Sequence, residues 1–144
     1  MPKGATLPGK ALAEFHGVSE SYLVKHLQAL AGAGLLRSVP GPKGGYQLAR
    51  HPAAITLLDV VQAIDGEEPS FRCTEIRQRG PSAVEPTAYR LPCRIHAAML
   101  RAEAAWRESL RAQTIAGLIA DLMQSFQPRQ IEKATAWLEA NVRG

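Results

Sequence analysis

The sequence predicts a mainly α-helical fold with a small β-wing, a winged helix-turn-helix that carries a long dimerisation helix. Three observations predict it. Lys10 to His16, Gly17 and a pattern opened by Ser19 read as helix, tight turn and helix. Pro40-Gly41-Pro42-Lys43-Gly44-Gly45 is a turn-forming run set between the short apolar stretches Leu35, Leu36, Val39 and Tyr46, Leu48, which is a hairpin signature. Far downstream, Ile95, Met99, Ala102, Trp106 and Leu110 recur every three or four residues, an apolar seam along one helix.

In chain order, residues 1 to 7 read as irregular, and Ala11, Leu12 and Phe15 supply the apolar side of the first helix. Ser19 is the expected N-cap of the second, whose face comprises Tyr22, Leu23, Leu27 and Leu30 and whose stop is Gly34. After the hairpin, Pro52 breaks the chain and Thr56 can cap a compact helix of Leu57, Leu58, Val60, Val61 and Ile64, ended by Gly66 and expected to close the core beneath the wing. Residues 67 to 92 hold four prolines and little apolar periodicity, a long loop of the kind that is usually functional or disordered. The seam helix begins at Cys93; Thr114 opens a further helix and Pro128 a last one. The expected division is therefore 1–66, 67–92 and 93–144.

At 144 residues the chain can bury a core of its own within one domain. Net charge is +4, and residues 1 to 52 hold six Lys/Arg against two Glu, while the remainder holds eleven of each sign. The whole excess lies on the helix-turn-helix and wing, as a phosphate-facing surface requires; a merely basic solvated face is the plainer alternative. No apolar run is long enough to span a bilayer, and the chain reads as cytoplasmic without a membrane partner. Two cysteines in such a chain point to free thiols, metal ligation or redox chemistry rather than a disulfide framework.

The strings VSESYL, AGLL, GGYQLAR and ITLLDVVQAIDG, taken in that order, resemble the Rrf2 family of bacterial transcription regulators over roughly the first half of the chain. Ordered motifs that agree together are far more specific than any one of them. The resemblance implies a homodimer that binds a double-stranded DNA operator, acting as a repressor and not as an enzyme. A recognition helix presents its first residues to base edges in the major groove, which selects Glu20, Ser21, Tyr22 and Lys25, with Tyr22 as apt to pack beneath the helix as to touch DNA. The family usually has an arginine before the first glycine of the wing turn; Pro40 stands there, leaving Arg37 and Lys43 as the basic candidates, with Lys43 favoured at the tip. Gly44 and Gly45 are expected to supply positive φ. The family also carries a helix before the helix-turn-helix, and too few residues precede Lys10 to form it, so either the chain is shortened or another segment covers that face.

For sensing, the resemblance implies an iron-sulfur cluster. Cluster-bearing members place three cysteines in the loop before the dimer helix; this chain keeps Cys73 and Cys93 at the first and last positions and lacks the middle one. Such a cluster needs about four protein ligands, so His16 or His96 would supplement the thiolates, His16 being favoured because it lies within the helix pair that reads DNA. A two-iron, two-sulfide cluster suits this reduced set best. The alternatives are a cluster-free regulator that senses by thiol oxidation or a small ligand, and, from another class, a thiol enzyme using Cys93 and His96, for which no third orienting group is readable.

Overall fold

The computed structural model describes residues 4–42 and 44–143. Helices α1 (Gly9–His16) and α2 (Glu20–Gly32) form the helix-turn-helix, and strands β1 (Leu36–Val39) and β2 (Gly45–Leu48) form an antiparallel wing with Leu36 opposite Leu48 and Val39 opposite Gly45. Helix α3 (Leu57–Asp65) follows the wing; α4 (Arg94–Arg111), α5 (Ile115–Ser125) and α6 (Pro128–Asn141) complete the chain. This matches the expected fold class and element order.

Local chemistry explains the boundaries. Gly17 takes a left-handed conformation (φ 65°), which lets α1 stop and reverse within one residue. The Ser19 hydroxyl accepts the Tyr22 amide N–H and opens α2. At α3, Thr56 and Asp59 form a reciprocal capping box, with the Asp59 N–H donating to the Thr56 hydroxyl and the Thr56 N–H donating to the Asp59 carboxylate. That amide bond holds the Asp59 carboxyl below its usual range. The Thr114 hydroxyl caps α5, and Pro128 stands in the first turn of α6.

The buried apolar residues are Ala5, Ala11, Ala13, Leu27, Leu35, Ile55 and Leu58. They tie α1 to α2, α2 to α3 and α2 to the wing. Two expectations, for Tyr22 and Gly44, need correction here. Helix α3 packs against α2 and α4 with its Leu58 buried, and its Asp59, Gln62 and Ala63 share a cleft with Leu35 and Arg50 at the base of the wing. Tyr22 lies 61% exposed at the outer end of α2, its ring edge-on to His26, so it does not pack beneath the helix. In the wing turn Gly41 takes a φ of 101° and Gly45 a φ of 158°, so Gly45 has the positive φ expected of it and Gly44 does not. Both glycines also lack space for a side chain: a Cβ on Gly44 would meet the Val39 carbonyl, and one on Gly45 the Leu7 carbonyl.

That close approach has a purpose. Leu7 and Tyr46 exchange backbone hydrogen bonds of 3.0 and 2.8 Å, and Thr6 and Arg143 exchange another pair of 2.8 and 2.9 Å. The segment expected to be irregular thus lies between the wing and the carboxyl-terminal residues, in a pairing too short to leave any periodicity. Phe15 of α1 meets Trp137 of α6 with ring centroids 4.5 Å apart. The C-terminal helix therefore covers part of α1.

Ile55, 1% exposed, and the cap beside it test this packing. Replacing Ile55 with Ala is expected to cost about 2–5 kcal/mol through a cavity, and Thr56→Ala about 1 kcal/mol through the lost cap. Urea denaturation checks both. Equal effects would mean that Ile55 is not the packing centre.

Candidate nucleic-acid interface and thiol site

The candidate DNA-reading residues are positioned by the Ser19 cap. Glu20, Ser21, Tyr22 and Lys25 are all exposed in the first turns of α2. Arg37 is exposed on β1, opposite Gln47. Lys43, the favoured wing residue, lies outside the described residues. The exposed row and the wing belong to one packed unit, because α2 contacts α1, α3 and β1.

The long loop is ordered by α4. Glu103 and Arg107, one turn apart, are paired at 2.8 Å and largely buried, their side chains 10% and 21% exposed. The Glu103 carboxylate accepts the Ser70 amide at 3.0 Å, and the Arg107 guanidinium donates to the carbonyls of Glu67 and Glu68. The loop entrance is thereby fixed to the middle of α4. Farther on, the Tyr89 hydroxyl accepts the Val84 N–H and donates to the Arg77 carbonyl, and the Arg77 guanidinium lies over the Tyr89 ring.

These anchors bring Cys73 back to Cys93, the residue preceding α4. Both are half-buried free thiols and both line one cleft of about 450 Å³ with Phe71, Ile76, Arg77 and Ile95. The Cys73 thiol lies 3.6 Å from the Glu75 carboxylate, to which it donates. Glu75 is held in a left-handed conformation (φ 51°), uncommon outside glycine, and receives the Arg77 guanidinium at 2.8 and 3.1 Å. Arg77 in turn holds the Glu75 carboxyl below its usual range.

The Cys93 thiol is pulled down from its ordinary pKa. The largest cause is the His96 backbone N–H, and the Ile95 N–H adds to it; partial burial opposes, while the Arg77 cation and the Cys73 thiol assist. The neutral thiol makes no capping bond, but the free N–H groups at the start of α4 face the sulfur and favour its anion. His96 thus acts through its amide. Its imidazole tilts against Phe71 at 5.9 Å, with Nδ1 buried and unpartnered. His16 is exposed at the end of α1, edge-on to Phe15.

Among the described residues no group of three or more His, Cys, Asp or Glu side chains is placed to hold a metal ion. A cluster needs about four protein ligands, and the nearest further donor, Glu75, is already engaged by Arg77. In this single chain neither His16 nor His96 joins Cys73 and Cys93 in such a group. Sequence reasoning missed Glu75 and Arg77. The available signal was the spacing Cys-x-Glu-x-Arg, with opposite charges two residues apart beside a thiol.

Ile95, Met99 and Trp106 of α4 are 64, 43 and 46% exposed, with Ala102 exposed and Leu110 half-buried. Leu118, Ile119, Leu122, Met123 and Phe126 add a second apolar face around α5. No helix of the described residues is long and apolar enough to cross a membrane.

Comparison with known proteins agrees with the winged helix-turn-helix fold. Residues 2–121 match the Rrf2 family, described as iron-dependent transcriptional regulator. Bacillus subtilis YwgB is 30% identical over 144 residues, spanning 100% of this chain and 86% of that protein. The solved structure of T. potens IscR superposes with TM-score 0.63 at 25% identity, covering 85% of this chain and 74% of that one. Staphylococcus aureus CymR in its oxidized form superposes with TM-score 0.56 at 27% identity, covering 80% and 77%.

Arg77→Gln is expected to raise the Cys93 pKa and slow its alkylation near neutral pH, because the cation favours the thiolate. Ultraviolet thiolate absorbance through a pH titration reads this directly in a Cys73→Ser background. A Cys93 titration unchanged by the substitution would remove Arg77 from the site.

Proposed function

The chain belongs to the Rrf2 family of DNA-binding transcriptional regulators, and from that premise we propose a cytoplasmic homodimeric repressor whose operator affinity is set by the oxidation state of Cys73 and Cys93. It is a regulator and not an enzyme. The carrying observation is the convergence of the two thiols on one cleft, with the amides opening α4 directed at one of them. The Cys93 thiolate attacks the O–O bond of a hydroperoxide, taking one oxygen as sulfenic acid and releasing an alcohol, or water where the oxidant is hydrogen peroxide. The Cys73 thiol then displaces that oxygen as water, closing a disulfide.

The disulfide would fix the loop to the start of α4. Helix α4 packs on α3, and α3 packs on α2, so a shift at the thiol site has a continuous route to the recognition helix. Residues 1–66 form the reading head in this account, residues 67–92 the sensor loop and residues 93–144 the dimerisation part. Glu20, Ser21, Tyr22 and Lys25 face base edges and phosphates in the major groove, while Arg37 and Lys43 meet the backbone or minor groove. The exposed apolar residues of α4 pair with the same residues of a second subunit, since a symmetric particle engages two half-sites.

The experiment is an operator-binding titration after anaerobic purification, repeated after one equivalent of hydroperoxide. Wild type is expected to be colourless and free of iron and sulfide. Its affinity should change roughly tenfold or more on oxidation and return with dithiothreitol, a coupling of typical allosteric size. Cys73→Ser and Cys93→Ser should bind DNA but not respond. A coloured preparation with stoichiometric iron and sulfide would replace this reading with a 2Fe-2S cluster whose remaining ligands come from a partner subunit. An oxidant response retained in both variants would remove the thiol pair from sensing.

A further inference from the structure

The wing turn of the described residues has few internal restraints: the Gly44 N–H donates to the Gly41 carbonyl at 2.8 Å, and both Gly41 and Pro42 are exposed. A second restraint comes from the other end of the sequence. The Arg143 guanidinium donates through Nη1 to the Pro42 carbonyl at 2.6 Å, across 101 positions of sequence. Its own backbone is fixed independently, because Arg143 N–H donates to the Thr6 carbonyl at 2.9 Å and the Thr6 N–H donates back at 2.8 Å. The neighbouring Leu7 makes the same reciprocal pair with Tyr46 of β2. One ladder thus runs from the carboxyl-terminal residues through Thr6 and Leu7 into the wing, and the Arg143 side chain reaches over it to the turn. Thr6 is 3% exposed, so these bonds are shielded from competing water. The Phe15–Trp137 contact seats α6, which ends two residues before Arg143, on α1.

We propose that Arg143 is a positioning residue for DNA binding: it holds the wing turn, through the Pro42 carbonyl, at a fixed height relative to the recognition helix. Pro42 has no N–H and its φ is preset, so its carbonyl is the handle by which the turn can be gripped from outside. The guanidinium offers several donors in a rigid fork, and a charged donor strengthens the bond. The role rests on the DNA-binding reading above but not on the thiol switch.

The test compares wild type, Arg143→Ala and Arg143→Lys on one duplex operator, with affinity measured over a range of salt and with Gly44 and Tyr46 amide exchange followed by NMR. Arg143 is exposed, so Arg143→Ala is expected to fold and dimerise as wild type does. Its Gly44 amide should exchange faster, and its affinity should fall roughly 3- to 10-fold, as for loss of one ordering hydrogen bond. The slope of affinity against salt should stay unchanged, and Arg143→Lys should recover part of the loss. Wild-type affinity or wild-type Gly44 exchange in Arg143→Ala overturns the proposal. So does a salt slope reduced by about one, which would make Arg143 a direct phosphate contact. A wild-type protein that bound no duplex at all would instead defeat the DNA-binding reading, a failure distinct from these.

Discussion

The short junction at Ile55 and Thr56 ties the helix that supports the reading head to the C-terminal helices. Ile55 is the most buried side chain of the described residues, and its carbonyl accepts the Ile115 N–H at 2.9 Å while the Leu57 N–H donates to the Gln113 carbonyl at 2.9 Å. The first turn of α3 and the first turn of α5 are thereby joined edge to edge, each with a threonine at its cap. Because α3 also packs on α2, the junction connects the recognition helix to the C-terminal helices by a few backbone bonds and one core residue. A core this small cannot also cover the outer faces of α4 and α5, and their apolar side chains stay exposed in the single chain.

The ion pairs of the molecule do not carry equal weight. Arg72 with Glu68 and Arg111 with Glu108 are solvent-exposed pairs, of the kind worth at most about 1 kcal/mol. Glu103 with Arg107 is different, because both side chains are largely buried and both also bind loop backbone. Breaking that pair leaves amide and carbonyl groups of the loop entrance without partners as well as a stranded charge. The loop that bears Cys73 is therefore anchored on α4 at Glu103–Arg107, while the amides opening α4 face Cys93.

Elements marked by caps and periodicity were legible in the sequence. Ser19, Thr56 and Thr114 cap the helices they were expected to cap, and Pro128 opens the last one, because a side chain bonded to an amide three residues on is a local fact. What depends on distant pairing was not legible. The Thr6–Arg143 and Leu7–Tyr46 bridges span too few residues to impose alternation, and the Cys73–Glu75–Arg77 arrangement lies in a loop without period. Proximity of His16 or His96 to the thiols is likewise a tertiary property, and the His96 backbone N–H is what bears on Cys93.

Equilibrating the protein across a series of thiol–disulfide buffers, and reading operator affinity and free-thiol count in the same samples, tests the central claim most directly. The account predicts that both follow one two-electron transition with a common midpoint, about 30 mV for each tenfold change in the dithiol–disulfide ratio. Affinity that stays constant while the two thiols disappear, or that changes before they do, would contradict it.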